Sequence, residues 1–192
     1  TMNPVGDGYR LTDAETRIGS VTQPAIGSIA MKAEQFGPLY QLTFTLDNVG
    51  QTVVNGTEYQ STLLYTFPEG RILVNGVTAT FSQKTTSALA STLNASSTGA
   101  ISLGTVAASN VSLTGTMVDL LPSTAFTSSA TVNVAGTAVS AALAAAAQFD
   151  GTTTAKDVYL NTAYATTTDV DGNATQTISG TVTITWLALG DY

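Results

Sequence analysis

The stretch Ile178-Ser179-Gly180-Thr181-Val182-Thr183-Ile184-Thr185-Trp186 decides the fold. Apolar and hydroxyl side chains alternate along it, and a period of two marks a strand with one buried face. Ile178, Val182, Ile184 and Trp186 fall on one side, and the Ser and Thr residues fall on the other. β-Branched residues dominate it, and their stiff side chains suit a pleated, half-buried surface.

The pattern returns in Tyr40-Gln41-Leu42-Thr43-Phe44-Thr45-Leu46, and again at Leu63, Tyr65 and Phe67 before Pro68 stops it. Ile72-Leu73-Val74, Asn75-Gly76 and the apolar run up to Phe81 predict a hairpin, because Asn-Gly supplies the two positive φ angles of a tight turn. Weaker strand signals cover residues 101–106, 111–114, 131–134 and 158–161. Two short helices are expected, one over residues 116–121 ended by Pro122, the other over residues 141–148 with Ser140 as N-cap. Short strands separated by turn signals predict an all-β fold, an antiparallel β-sandwich or jelly roll.

Residues 1–38 read differently. Pro4, Pro24, Pro38 and several glycines break any period, so this part predicts an extended N-terminal arm, with the sandwich domain spanning residues 39–192. The arm carries apolar anchors at Val5, Tyr9, Leu11, Ile18, Val21, Ile26, Ile29 and Phe36, and cations at Arg10 and Arg17. An extended segment with anchors is suited to ordering on a partner surface, so these ten residues are the expected partner-binding set. Folding back onto its own trimer is the alternative.

Composition narrows the chemistry. The chain has no His and no Cys, which removes the commonest general base, disulfides and thiolate metal ligands. A net charge of -7 with six Lys and Arg disfavours nucleic acid and anionic membrane surfaces as partners. No apolar run approaches the roughly 20 residues that span a bilayer, and no secretory leader pattern stands in the chain. Charged residues make up 10% of the chain, and between residues 85 and 149 the sole charge is Asp119. Exposed surfaces normally carry interspersed charges, whereas interface cores are depleted of them. This stretch is therefore expected to form a contact between subunits or with a lattice, against the alternative of a surface solvated by Ser and Thr.

Candidate sites were weighed against simpler explanations. Asp169-Val170-Asp171-Gly172-Asn173 has alternating oxygen ligands, but its glycine stands at the fourth position and no Glu follows at the twelfth, so a turn is expected rather than a calcium loop. Asp119, Asp150 and Asp157 show no spacing that singles out a catalytic pair. A Ser nucleophile would need Lys32, Lys84 or Lys156 as its base, and no Ser-x-x-Lys motif or phosphate-cradling loop occurs. Four Asn-x-Ser/Thr triplets are what chance produces in a chain rich in Ser and Thr. Trp186 lies on the apolar face of its strand, which favours core packing over a sugar platform. The expectation is a protein that is not an enzyme, with no catalytic residue, cofactor or metal.

The segment Leu63-Leu64-Tyr65-Thr66-Phe67-Pro68-Glu69-Gly70-Arg71-Ile72-Leu73-Val74-Asn75-Gly76, together with the strand ending at Trp186, resembles tailed-bacteriophage capsid decoration proteins, also called cement proteins. Cyanophages and related phages carry them. The resemblance covers residues 39–192 and rests on strand and turn sequence. It implies a jelly-roll subunit that forms homotrimers on the outer capsid surface of the virion, near threefold positions, and clamps neighbouring major capsid protein subunits. It supplies no catalytic residue. A trimeric receptor-binding or fibre domain and a secreted adhesin module are the rival readings. Fibres usually show repeats or helical shafts, and neither appears.

Overall fold

The computed structural model describes residues 18–85, 97–129, 131, 133–165, 170 and 172–190. Among the described residues the strands are β1 (Ser20–Val21), β2 (Ser28–Phe36), β3 (Leu39–Val53), β4 (Tyr59–Thr66), β5 (Gly70–Thr85), β6 (Thr98–Gly104), β7 (Leu121–Thr127), β8 (Val139–Ala142), β9 (Ala147–Gly151), β10 (Asp157–Ala163) and β11 (Ala174–Gly190). They make two antiparallel sheets packed as a sandwich. The smaller sheet runs β1-β4-β10-β6-β7, and the larger runs β2-β3-β11-β5-β8, with β9 also paired to β5. Every ladder is antiparallel.

β11 is the reference strand of the larger sheet. Ile178, Val182, Ile184 and Trp186 are all fully buried, as their alternation predicts. The strands on either side keep this inward phase only by inserting bulges. On β3 the buried residues switch from Leu42, Phe44 and Leu46 to Val49, Gln51 and Val53. The switch falls where Asp47 and Asn48 together oppose Ser179, and Asn48 has φ 50°. On β5 the buried residues switch from Ile72 and Val74 to Val77, Ala79 and Phe81. Asn75 is the extra residue there, between Val74 opposite Trp186 and Gly76 opposite Thr185.

That bulge corrects the hairpin expected at Asn75-Gly76. Both halves pair with the same neighbour, β11, so the chain runs straight on and the dipeptide shifts phase instead of reversing direction. A bulge also alters the pattern around Leu63. The ladder with β10 skips Leu64, which turns inward beside Tyr65, while Leu63 is left half-buried.

Both expected helices are absent. Over residues 116–121 there is only a single 3-10 turn, Gly115–Met117, before β7 begins at Leu121 with Pro122 inside this edge strand. An edge position tolerates a residue without an N–H. Within residues 141–148, Ala141 and Ala142 belong to β8 and Ala147 opens β9. Helix propensity yields to the ladder of β5, which needed partners for its free N–H and C=O groups. Residues 111–114 form no strand. Thr131, Asn133 and Val134 make a turn closed by a Val134 N–H donated to the Thr131 carbonyl at 3.2 Å.

Within the arm expected over residues 1–38, residues 20–21 and 28–36 are strands of the two sheets, and residues 1–17 lie outside the described residues. β2 is a full edge strand of the larger sheet, paired residue by residue from Ser28 opposite Asp47 to Phe36 opposite Leu39. β1 pairs with β4. Edge strands bury little, so β2 is too polar for a simple apolar count, although Ile29 and Met31 do alternate with outward residues.

The core between the sheets has an apolar end and a polar end. At one end Tyr40 stacks on Trp186 with centroids 4.6 Å apart, and Phe67 meets Trp186 edge-on at 5.5 Å. Tyr65 continues the cluster, and burial pushes its hydroxyl pKa well up. At the other end Gln51, Gln83 and Gln176 point inward from neighbouring strands of the larger sheet. Gln176 Nε2 donates to Gln51 Oε1 at 3.1 Å and to Thr162 Oγ1 at 2.9 Å, and its Oε1 accepts from the Tyr164 hydroxyl. Gln51 Nε2 donates to the Leu160 carbonyl at 3.0 Å, so the amides tie one sheet to the other.

Candidate functional site: the uncovered threonine face

The two outer faces of the sandwich differ. Residues 105–120 leave β6 and cross the outside of the smaller sheet. Asn161, on β10 and fully buried, holds them there. Its Nδ2 donates to the Val106 carbonyl at 3.0 Å and to the Met117 carbonyl at 2.9 Å. Its Oδ1 accepts from the Ala108 N–H at 3.0 Å and from the Ser61 hydroxyl at 2.6 Å. Leu113 and Met117 form a small second core there with Ala163. Gly104 lies so close beneath Met117 that a Cβ on it would collide with the Met117 backbone.

Asp119, the one charge in the neutral stretch, closes the same loop. Its carboxylate accepts from the Thr105 N–H at 2.8 Å and from the Thr105 hydroxyl at 2.6 Å. Burial raises its pKa, and the Thr105 bonds oppose that rise. These bonds brace the loop.

Among the described residues, no loop covers the outside of the larger sheet in this way. Two registered rows of side chains cross it. The first runs Thr45, Thr181, Thr80 and Ser140, on β3, β11, β5 and β8. The second runs Thr43, Thr183, Thr78 and Ala142 on the same strands. Three neighbouring strands thus each present Thr-x-Thr, with the intervening Phe44, Val182 and Ala79 buried beneath. Thr80 and Ser140 lie 3.2 Å apart through their hydroxyls. The surface dips along β11, β5 and β8 into a shallow trough of about 450 Å³, lined by Thr78, Thr80, Ser140, Ala142, Thr181 and Thr183.

Neither row holds a charged side chain between β3 and β8. The first charge met is Lys32 on β2, opposite Thr43, and it pairs with Glu34 at 2.7 Å. The face offers hydroxyls and methyl groups and no titratable group, so its chemistry is that of contact. The neutral stretch extends it. Residues 133–143 follow the free side of β5, with Asn133 N–H donated to the Thr85 carbonyl, Gly136 N–H to Gln83 and Leu143 N–H to Val77, each at 2.8 Å. Val134 is 49% exposed on this ribbon, and Ala135, Thr137 and Ala138 are exposed with it.

The residues expected to bind a partner are scattered. Ile29 is buried in the core, and Ile18 and Val21 pack against it, so these three belong to the sandwich itself. Ile26 lies across the far end of the larger sheet, where its side chain fills the space a Cβ on Gly50 would need. It remains 49% exposed, and Phe36, at the end of β2, is 60% exposed. Val5, Tyr9, Arg10, Leu11 and Arg17 lie outside the described residues.

Of the turn weighed as a calcium loop, Asp169 and Asp171 lie outside the described residues, and the Asn173 carboxamide oxygen accepts the Asn55 N–H at 3.1 Å. Among the described residues no three His, Cys, Asp or Glu side chains cluster as metal ligands would. Residue-level reading missed the threonine rows, although Thr43-Phe44-Thr45, Thr78-Ala79-Thr80 and Thr181-Val182-Thr183 are legible as repeated triplets. Only the register shows that they lie side by side. No family model matches this chain, and no curated protein matches it.

Proposed function

We propose that this chain is a structural virion protein, a homotrimeric capsid decoration protein that binds the outer capsid surface and stabilises contacts between major capsid subunits. The observation that carries the reading is the pair of uncharged rows on the larger sheet, which no described loop covers, whereas the loop 105–120 covers the opposite face. A protein whose work is contact needs such a surface and needs no catalytic group, cofactor, nucleic acid or membrane. The resemblance in residues 63–76 and 178–186 supplies the capsid. Those residues now have places: the first segment spans the end of β4, its turn and the start of β5, and the second is the middle of β11. The strand order supports a jelly-roll reading, since β3-β11-β5-β8 faces β4-β10-β6-β7, with the last two strands each inserted between an earlier pair.

Several such trimers gripping several capsid subunits bind by multivalency, with an avidity beyond that of any single contact. In this reading the capsid-binding arm is sought in residues 1–17, because β1 and β2 belong to the sheets. The test is to mix purified protein with undecorated capsids and to image the particles by electron cryomicroscopy. The expected result is regular density on the outer surface for the full chain and weaker occupancy for a chain lacking residues 1–17. Bare capsids at saturating protein would overturn the reading.

A further inference from the structure

We propose that the threonine face and the bordering ribbon 133–143 form the surface on which one copy of this chain packs against the next. The inference rests on the homotrimer reading above and assigns it a place.

Charge selects the partner. Each copy carries thirteen acidic and six basic residues. Identical copies that meet through acidic surface place like charges together, and such pairs repel most where water is excluded. The two rows from β3 to β8 are a described surface on which a second copy can settle with no carboxylate in either row, the nearest on these strands being Asp47 at the edge of β3. A partner recognised by charge, such as a basic protein or an anionic polymer, would find nothing there to pair with.

Side-chain type points the same way. Thr, Ser and Ala lose little rotamer freedom when buried, whereas Lys and Glu lose much. Thr also brings a methyl group for packing and a hydroxyl that can bond across the contact. Ordering this face against another surface is therefore cheap in entropy.

Size sets the extent. Four strands about 4.8 Å apart and two rows that each occupy about 6.6 Å of strand give a face of roughly 250 Å². A stable interface takes about 800 Å² from each partner, so the rows alone supply about a third. Residues 133–138, which lead into β8, continue the surface without a charge along β5.

The experiment places one charge at the centre of the face. Thr181→Glu lies in the middle of the first row, and Thr80→Glu is a second variant in case the first fails to fold. Ser123→Glu puts the same charge on an exposed position of β7, in the other sheet. Light scattering after size exclusion at micromolar concentration reads the mass, and circular dichroism reads the fold. Wild type and Ser123→Glu should run at three times the 19.6 kDa chain mass. A folded Thr181→Glu or Thr80→Glu should run at the single-chain mass, with an association at least tenfold weaker. Folded face variants that stay trimeric overturn this inference and leave the trimer standing. A wild type that is itself monomeric overturns the trimer reading and this inference with it. Face variants that stay trimeric yet no longer coat capsids assign the face to the capsid and also overturn the inference.

Discussion

The outer face of the smaller sheet and the outer face of the larger one start from similar strands, rich in Thr, Ser and Ala. Over the smaller sheet, β10 places Asn161 outward, and that one carboxamide meets four backbone and hydroxyl groups of the strand beside it and the loop above it. Over the larger sheet the corresponding positions are Thr181 and Thr183, whose short side chains hold no loop among the described residues. One long polar side chain in the right row thus marks the face that the described loop closes. That closed face adds to stability, and the threonine face is the one proposed above for a partner.

The largest expected effect comes from removing that anchor. Asn161→Ala leaves the Val106 carbonyl without its donor and opens a hole under the loop, and it should cost about 3 kcal/mol of unfolding free energy. Urea denaturation of the dilute protein measures it. A loss below about 0.5 kcal/mol would mean that the loop stays in place without Asn161, and the contrast between the faces would lose its cause.

Met117→Ala tests the apolar half of the same cover. Met117 is 7% exposed in the small second core, and truncation there should cost about 2 kcal/mol. The loss should appear with faster amide exchange over residues 105–120 while β11 stays protected.

Asp119 sharpens the comparison through pH. Its folded pKa is raised above the ordinary 3.8, so the fold favours the protonated form. The stabilisation is full below 3.8 and is lost as pH rises through the raised value. Relative to Asp119→Asn, the wild type should therefore gain stability as pH falls from neutrality into the carboxylate range. A difference that stays constant, or that grows toward neutral pH in favour of wild type, would contradict the burial of this carboxylate. Asp150 acts in the opposite sense, because hydrogen bonds from Thr152 lower its pKa, so only the difference between the two proteins isolates Asp119. Between pH 6 and 8 the melting temperature should hardly move, since the chain has no His.

The smallest effect is expected on the open face. Thr45→Val and Thr78→Val keep shape and β-branching at exposed positions and should change the stability of the dilute subunit by less than about 0.5 kcal/mol. A loss of 2 kcal/mol or more would show that the hydroxyl rows brace the sheet itself.

Local pattern made part of this legible. Alternation in residues 40–46 and 178–186 marks strands whose inward residues the structure buries almost completely. Gln51, Gln83 and Gln176 occupy inward positions in their strands' phase, yet an isolated glutamine in a strand reads as an outward residue. The buried role appears only when Thr162 and Tyr164 come across from the other sheet to bond the Gln51 and Gln176 amides, with Gln83 Nε2 donating to Gln176.

By itself the sequence determined the all-β class, the neutral stretch and the lack of His and Cys chemistry, because these follow from residue type and short periods. The tertiary structure alone decided four things: that Asn75-Gly76 is a bulge, that Ala141, Ala142 and Ala147 join strands, that β2 belongs to the sheet, and that three Thr-x-Thr triplets form one face. Each depends on pairing between residues far apart in the chain. A strand's hydrogen bonds go to its neighbours, so its register, and therefore which side chains share a surface, is set only when those neighbours arrive.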